Sequence, residues 1–173
     1  MASTSSPYGL QPISDQSGTP RTLRMPNGIA SGYASNIFKY QPVTLNVATG
    51  TLEAVTNPGG TPDKIFGIMA GVEYTPLGGR PAESPLWPGG TVLDTTENMF
   101  VYVWPAWLPG LRCRVQADGS VAQALMGSQF LLNNLSAGST QIGLSQCSVA
   151  HAGVAADSQG RVALQEFLDT IGI

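Results

Sequence analysis

The chain is poor in charge, and its cations are not clustered. Charged residues make up 11% of the 173 residues, against about 25% in ordinary soluble domains. The eight Lys and Arg residues stand singly or in loose pairs such as Arg112 and Arg114, so they form no basic stripe that would neutralise phosphates. No apolar run approaches the roughly 20 residues of a membrane helix. We therefore expect neither a nucleic-acid partner nor a membrane partner.

Chemically reactive side chains are also scarce. The one histidine, His151, and the two cysteines, Cys113 and Cys147, supply three metal ligands at most and lack a recognised short spacing. The sequence contains neither a Gly-x-Ser-x-Gly nucleophile elbow nor a phosphate-binding loop. It therefore predicts a protein that is not an enzyme, with no catalytic residues, no metal and no cofactor.

Two weaker interpretations that involve carbohydrate stay open on the residues alone. Four acidic residues could supply the acid and base of a glycosidase, and the three tryptophans could line a sugar-stacking platform. Acidic residues on a polar β surface are usually only solvated, which favours the non-enzymatic interpretation. The residues concerned are Glu73, Glu83, Asp94 and Glu97, together with Trp87, Trp104 and Trp107.

The two cysteines are predicted to be unpaired and buried. A single possible bridge in a chain of this size is weak support for a secreted disulfide framework. The N-terminal sequence MASTSSPYG lacks the basic and apolar regions of a signal peptide. We therefore expect synthesis in a cytoplasm, where the reducing thiol pool keeps cysteines free.

Glycine and proline are abundant, at 21 and 13 residues. With the low charge, they favour many short strands joined by turns and a surface wetted by Ser, Thr, Asn and Gln. The length suits one domain with a sizeable core. We predict a mainly β fold: a compact barrel-like or sandwich-like single domain with at most one short helix. Residues 1–25 are expected to form an extended N-terminal arm and residues 26–173 the β domain.

The predicted arm is rich in Ser, Thr, Pro and Gly, and its large apolar residues occur only singly. Such a segment cannot bury enough apolar surface to form its own core, so we expect it to be mobile until a neighbouring subunit orders it. Its apolar side chains would then serve as separate anchors on that neighbour. They are Tyr8, Leu10, Ile13 and Leu23.

The stretch 65–74, IFGIMAGVEY, is predicted to be the interior strand around which the domain is organised. Its expected partners are 100–104 and 37–45, and its glycines leave room for a bulky group against the backbone. Further predictions are strands at 29–33, 37–43 and 111–116, a hairpin at 45–55, and an irregular excursion at 75–91 pinned by Leu86 and Trp87. The pattern also predicts a short helix within 121–132 and a last strand or helix at 161–168.

The sequence Trp104-Pro105-Ala106-Trp107-Leu108-Pro109 is too apolar to be left in water, so it is predicted to pack on the core or against another subunit. Proline on both sides of Trp107 restricts the backbone that presents this ring. The complete set of predicted interface residues is Tyr8, Leu10, Ile13, Leu23, Trp87, Trp104 and Trp107.

Four segments of the chain resemble, in this order, the cement or capsid decoration proteins of tailed bacteriophages. The resemblance extends over about residues 8 to 130, and its second and third segments are the most specific; WPGGT at 87–91 resembles a further, softer family position. The four segments are YGLQP at 8–12, NGIASGYASNIFKYQPV at 27–43, FGIMAGVEYT at 66–75 and VQADGS at 115–120.

The resemblance implies a mainly β protein on the outer surface of the phage head, assembled in the host cytoplasm. Such a protein binds the shell of the major capsid protein, bridges neighbouring capsomers and has no catalytic residues. A homo-dimer and a homo-trimer are both compatible with this role. The alternative from another class is a phage tail or fibre module that recognises a host-surface glycan through its tryptophans.

Overall fold

A computed structural model of the protein describes residues 7–56, 65–94, 98–125, 128–154 and 161–163. The described chain is mainly β, as predicted, and its sheets pack in a sandwich-like manner without a closed barrel. The strands are β1 Gln11–Ser14, β2 Leu23–Pro26, β3 Ile37–Phe38, β4 Pro42–Asn46, β5 Thr51–Ala54, β6 Ile65–Tyr74, β7 Ala82–Ser84, β8 Leu86–Trp87, β9 Phe100–Pro105, β10 Arg112–Arg114, β11 Gln129–Asn133, β12 Gly138–Ser139, β13 Leu144–Ser145, β14 Ser148–Val154 and β15 Arg161–Ala163. A single turn of 3₁₀ helix spans Gln123–Leu125.

The largest sheet has the strand order β2-β9-β6-β4-β5, and β7 pairs with the far end of β6. The central position of β6 and its pairing with β9 and β4 confirm the prediction made for 65–74. Gly67 lies opposite Pro105, where a Cβ atom would stand 2.5 Å from Val103 Cγ1 and 2.6 Å from the Trp104 carbonyl oxygen. The predicted close approach of a bulky group is thus confirmed.

A β-bulge interrupts the pairing of β6 with β9. Met69 lies opposite Val103 and Gly71 opposite Tyr102, which leaves Ala70 as the extra residue of β6. The bulge lets Met69 and Val72, three positions apart, face the same side, where both are fully buried. Side chains alternate strictly along a regular strand, so only the extra residue permits this arrangement.

The sheet separates two clusters of buried apolar residues, which we call the first core and the second core. On β9 the side chains of Val101 and Val103 enter the first core, whereas Trp104 packs against the second core. The first core consists of Ile29, Ile37, Val43, Leu52, Ala54, Met69, Val72, Trp87, Met99, Val101 and Val103. The second core consists of Leu10, Val55, Ile68, Phe130, Leu132, Leu135, Cys147 and Val149.

The N-terminal segment from residue 7 onward packs on the domain, in contrast to the predicted separate arm. Leu10 is 3% exposed in the second core, because its backbone N–H donates to the Tyr40 carbonyl at 2.9 Å and draws the residue inward. β1 pairs with β10, and β2 pairs with β9. Composition concealed this, because Leu10 and Met25 pack in cores that other segments build. Residues 1–6 lie outside the described residues.

The predicted helix within 121–132 is wrong. Beyond the 3₁₀ turn, the chain forms β11, which places Phe130 and Leu132 on one buried face. An apolar spacing that suits a helix over a few residues can equally fit a strand, and here pairing with β14 and β15 decides for the strand. The end of the predicted 161–168 element lies outside the described residues, which include only β15 there.

Other predictions are confirmed in part. The 45–55 hairpin is formed by β4 and β5, and 111–116 contains the half-exposed β10. The strand predicted at 37–43 is split into β3 and β4, because Tyr40 adopts a positive φ of 68° between them. No strand forms at 29–33, and the irregular excursion at 75–91 contains the short β7 and β8, with Trp87 fully buried as expected.

Candidate interaction surface

The structure divides the predicted interface residues into interior and surface groups. Leu10 and Trp87 are core residues, 3% and 0% exposed, so the folded chain cannot offer them to a partner. Tyr8 and Trp104 are half-buried. The exposed members are Ile13 at 48%, Leu23 at 38% and Trp107 at 59%. Of these residues, only Ile13, Leu23 and Trp107 are exposed enough to belong to a contact surface of the intact fold.

Trp107 stands at the corner that follows β9. Pro105 is buried at the end of the strand, and the Leu108 N–H donates to the Pro105 carbonyl at 3.2 Å, which turns the chain. The Trp107 ring makes an edge contact with Phe66, with centroids 4.8 Å apart. The sequence predicted packing either on the core or against another subunit. For Trp107 the first alternative is wrong, because its ring rests on the body and remains open to solvent; the second stays a prediction.

The segment that follows β1 runs alongside the corner. The Gln16 N–H donates to the Pro109 carbonyl at 2.9 Å, and Ser14 lies opposite Arg112. The turn is held by Asp15, whose Oδ1 accepts from both the N–H and the hydroxyl of Ser17 at 2.7 Å. These bonds, led by the Ser17 hydroxyl and assisted by nearby Arg21, lower the pKa of the Asp15 carboxyl.

Between this turn and the corner lies a depression of about 440 Å³. It is lined by Asp15, Gln16, Ser17, Arg21, Leu108 and Pro109. Leu23 lies on β2 opposite Val103, close to where β9 enters the corner. We use the term corner surface for Ile13, Leu23, Trp107, Leu108 and Pro109.

The other two tryptophans are held by the fold. Trp87 contacts Tyr74 edge-on with ring centroids 5.4 Å apart, and its indole N–H points at the Tyr33 carbonyl oxygen 3.5 Å away. Trp104 stacks on Tyr40 at 5.7 Å, with the rings 16° from parallel. The three tryptophans therefore do not form a common sugar platform, and Trp107 alone is available for stacking.

Two of the four carboxylates considered for a glycosidase are brought together. Glu73 on β6 lies directly opposite Glu83 on β7, and the Tyr102 hydroxyl donates to Glu73 Oε1 at 2.6 Å. Both line a shallow depression of about 350 Å³, of which Asp94 is not a lining residue. Glu97 lies outside the described residues. This geometry does not establish an acid–base pair. The structural role it gives Glu73 is to accept a hydrogen bond from the Tyr102 hydroxyl.

A histidine–aspartate pair was not predicted from the sequence. Asp118 Oδ1 accepts from the His151 backbone N–H at 2.7 Å and lies 2.8 Å from His151 Nδ1. Asn133 donates to Asp118 Oδ2 at 2.7 Å. These bonds, led by the backbone N–H, lower the pKa of the Asp118 carboxyl. No hydroxyl or thiol of the described chain is bonded to His151, so the pair ties the 117–120 turn to β14.

Both cysteines are free thiols, as predicted. Cys147 is buried in the second core and Cys113 packs against it. Burial raises the pKa of each thiol to about 12, so neither is a ready nucleophile. Among the described residues there is no group of three His, Cys, Asp or Glu side chains able to hold a metal ion.

The helical part of the described structure contains no segment long and apolar enough to cross a membrane. Comparison of the chain with protein-family models, with curated protein sequences and with solved structures gives no match. The corner surface is therefore interpreted from its own geometry and from the resemblance noted in the sequence.

Proposed function

We propose that the protein is a structural capsid decoration, or cement, protein of a tailed bacteriophage. It binds the outside of the major capsid protein shell, bridges neighbouring capsomers and acts as a homo-oligomer on the outer surface of the head. The observation that supports this proposal is the corner surface, where Trp107 is 59% exposed and is followed in the chain by Leu108 and Pro109. An exposed aromatic residue on a rigid corner is typical of a residue that anchors a protein–protein contact.

The segments that carry the resemblance have structural roles that suit a stable clamp. Residues 8–12 insert Leu10 into the second core, and 66–75 forms most of β6. Residues 115–120 contain Asp118, which bonds to β14. These segments build the body, while the corner surface is left for a partner.

A clamp stabilises a shell only if it prefers the assembled lattice. A ligand that binds one state of a protein more tightly stabilises that state by the difference in binding free energy. The low charge of the chain, at 11%, weakens the electrostatic repulsion that would oppose dense packing of many copies on one shell. The low charge of the chain therefore agrees with a role in standing contacts between subunits.

A second candidate function is a tail or fibre module that binds a host-surface glycan. The observation that favours it is again Trp107, because an exposed indole ring can stack on a sugar, and the next residue, Leu108, lines a depression together with Asp15 and Arg21. Burial of Trp87 and the Tyr40 stack of Trp104 leave this candidate with one ring. We therefore rank it second.

Replacement of Trp107 distinguishes the two candidates. We expect W107A to reduce co-sedimentation with expanded, tail-less heads at least about thirtyfold, as for loss of a hot-spot aromatic residue. Leu77→Ala is the matched control, because Leu77 is also exposed, at 67%, but lies in a turn outside the corner surface. Unchanged binding to heads, with loss of binding to host polysaccharide, would establish the glycan-binding module instead.

A further inference from the structure

The two edges of the largest sheet differ in their hydrogen bonding. At the β5 edge, the Leu52 N–H donates to the Gly28 carbonyl at 2.6 Å and the Ala54 N–H donates to the Tyr33 hydroxyl at 3.0 Å. The outward donors of that edge are therefore satisfied within the chain. Among the described residues, β9 is the only strand that pairs with β2, so the other side of β2 is an open edge of the sheet.

The register of the β2–β9 pairing shows which backbone groups of β2 point away from β9, toward the open edge. The Asn27 N–H donates to the Met99 carbonyl at 2.7 Å, and in this register Met25 lies opposite Val101 and Leu23 opposite Val103. Hydrogen-bonded pairs alternate along an antiparallel ladder, so Leu23 and Met25 bond to β9. The N–H and C=O of Arg24, and those of Thr22 before it, therefore face away from the sheet.

The side chains along this edge are basic. Arg24 is exposed, and its guanidinium carbon lies 3.3 Å from the centroid of the Phe100 ring, which holds the cation in one place beside the edge. Arg21 is also exposed. Arg21 lies near the Asp15 carboxylate, whose pKa it helps to lower, whereas within the described residues no carboxylate lies within ion-pair distance of Arg24. The edge thus carries two of the eight cations of a chain whose net charge is −3.

We propose that the β2 edge binds an extended, acidic segment of a partner protein, which adds to the sheet as a further strand. The backbone of Thr22 and Arg24 supplies the hydrogen bonds, and Arg24 pairs with a carboxylate on the added strand. Leu23, 38% exposed, offers an apolar contact on the opposite face of the same strand. The proposal is independent of whether the protein decorates a capsid.

A second copy of the chain is a poorer occupant than an acidic strand. If two copies paired over residues 22–26 about a two-fold axis, so that the outward groups of Thr22 and Arg24 form the hydrogen bonds, Arg24 would lie opposite Arg24. Like charges directly opposite each other on neighbouring strands are destabilising. Pro26 at the end of β2 has no N–H to offer and so limits the length of any such pairing.

Hydrogen exchange of backbone amides in the full chain tests the proposal. The probes are two short synthetic peptides of alternating polar and β-branched residues, one with glutamate and one with lysine at the polar positions. We expect the glutamate peptide to slow exchange of the Arg24 and Thr22 amides about tenfold or more, and the lysine peptide to have no effect. Amides of β6 and β9 report that the fold is intact.

Three variants sharpen the test. Thr22→Pro removes one outward donor and should abolish the protection, while Arg24→Glu should transfer it from the glutamate peptide to the lysine peptide. Arg80→Glu is the matched control, because Arg80 is exposed in the loop before β7, which does not pair with β2, and the change in net charge is the same. Absence of protection with the glutamate peptide, or equal protection with both peptides, would overturn the proposal. Protection that rises with protein concentration without peptide would assign the edge to a second copy.

Discussion

The first and second cores share the β6–β9 wall but are built in different ways. The first core takes most of its side chains from β4, β5, β6 and β9, which are neighbours in one sheet. The second core joins single residues from distant segments, such as Leu10 and Val55, to the short strands after residue 128. The first is therefore defined by alternation along neighbouring strands, interrupted on β6 by the bulge at Ala70, and the second by tertiary contacts that bring separate segments together.

The largest expected effect comes from the centre of the first core. Trp87→Ala should lower the free energy of unfolding by about 3 to 5 kcal/mol, because it leaves a cavity where the indole is fully buried. Urea unfolding followed by circular dichroism measures the change. Trp107→Ala is the matched control and should cost below about 1 kcal/mol, because that ring is 59% exposed. Similar losses for the two variants would contradict the difference in burial.

A substitution in the second core should act more locally. Leu132→Ala should cost about 3 kcal/mol, and we expect it to speed hydrogen exchange in β11 and β14 more than in β6 and β9. The reason is that short strands around a core drawn from separate segments can open without the central sheet. Equal acceleration in all four strands would show instead that both cores unfold as one unit.

Alkaline pH should weaken the second core selectively, because the two thiols lie in or against it. Burial raises the pKa of Cys113 and Cys147 to about 12 in the folded chain, above the value of about 8.5 for an unfolded thiol. Their contribution to stability is present below about pH 8.5 and is lost as the pH rises toward 12. We expect about 1 kcal/mol per thiol to be lost by about pH 9.

Urea midpoints measured between neutral and alkaline pH check this prediction. A Cys113→Ala, Cys147→Ala double variant serves as the control and should show a flatter profile over the same interval. Alkylation of the denatured, unreduced protein should add two labels, one for each free thiol. An identical pH profile for the variant and the parent chain would contradict the proposed role of burial.

The smallest effect is expected at the rim of the second core. The pKa of Asp118 is lowered in the folded chain, mainly by the His151 N–H, so its contribution is present above the unfolded pKa of about 4 and is lost as the pH falls through the folded value. Asp118→Asn should remove this acid dependence, as followed by thermal unfolding between neutral and acid pH. Glu83→Gln, which replaces an exposed carboxylate on β7 in the largest sheet, is the control. If Asp118→Asn left the acid profile unchanged, the pair with His151 would have no energetic role.

The contrast between the cores also explains how much of the fold could be predicted from sequence. The 65–74 strand and its partners were predictable because apolar and glycine residues lie between clear turn signals. The second core was not, because its strands are short and Phe130 and Leu132 fit two periodicities. Leu10 was missed because a single leucine in a Ser-rich segment does not reveal which distant core receives it.

The candidate site was predictable in part for a similar reason. The proline-flanked tryptophan at 107 was singled out because its sequence restricts the backbone, and it is exposed in the fold. The residue type does not distinguish the three tryptophans, however. The difference comes from their ring neighbours, which are Tyr74 for Trp87, Tyr40 for Trp104 and Phe66 for Trp107. The basic β2 edge could not be predicted, because the outward direction of the Arg24 backbone depends on the register with β9.

The extra residue at Ala70 limits the insertions and deletions that β6 can accept during evolution. Beyond the bulge, Val72 faces the first core and Glu73 faces the other side of the sheet, where it meets the Tyr102 hydroxyl. Deletion of one residue here would shift the alternation of side chains in the rest of β6. Glu73 would then face the first core, and Val72 would face the opposite side of the sheet. The length of β6 is therefore fixed unless a second insertion or deletion restores the alternation of its side chains.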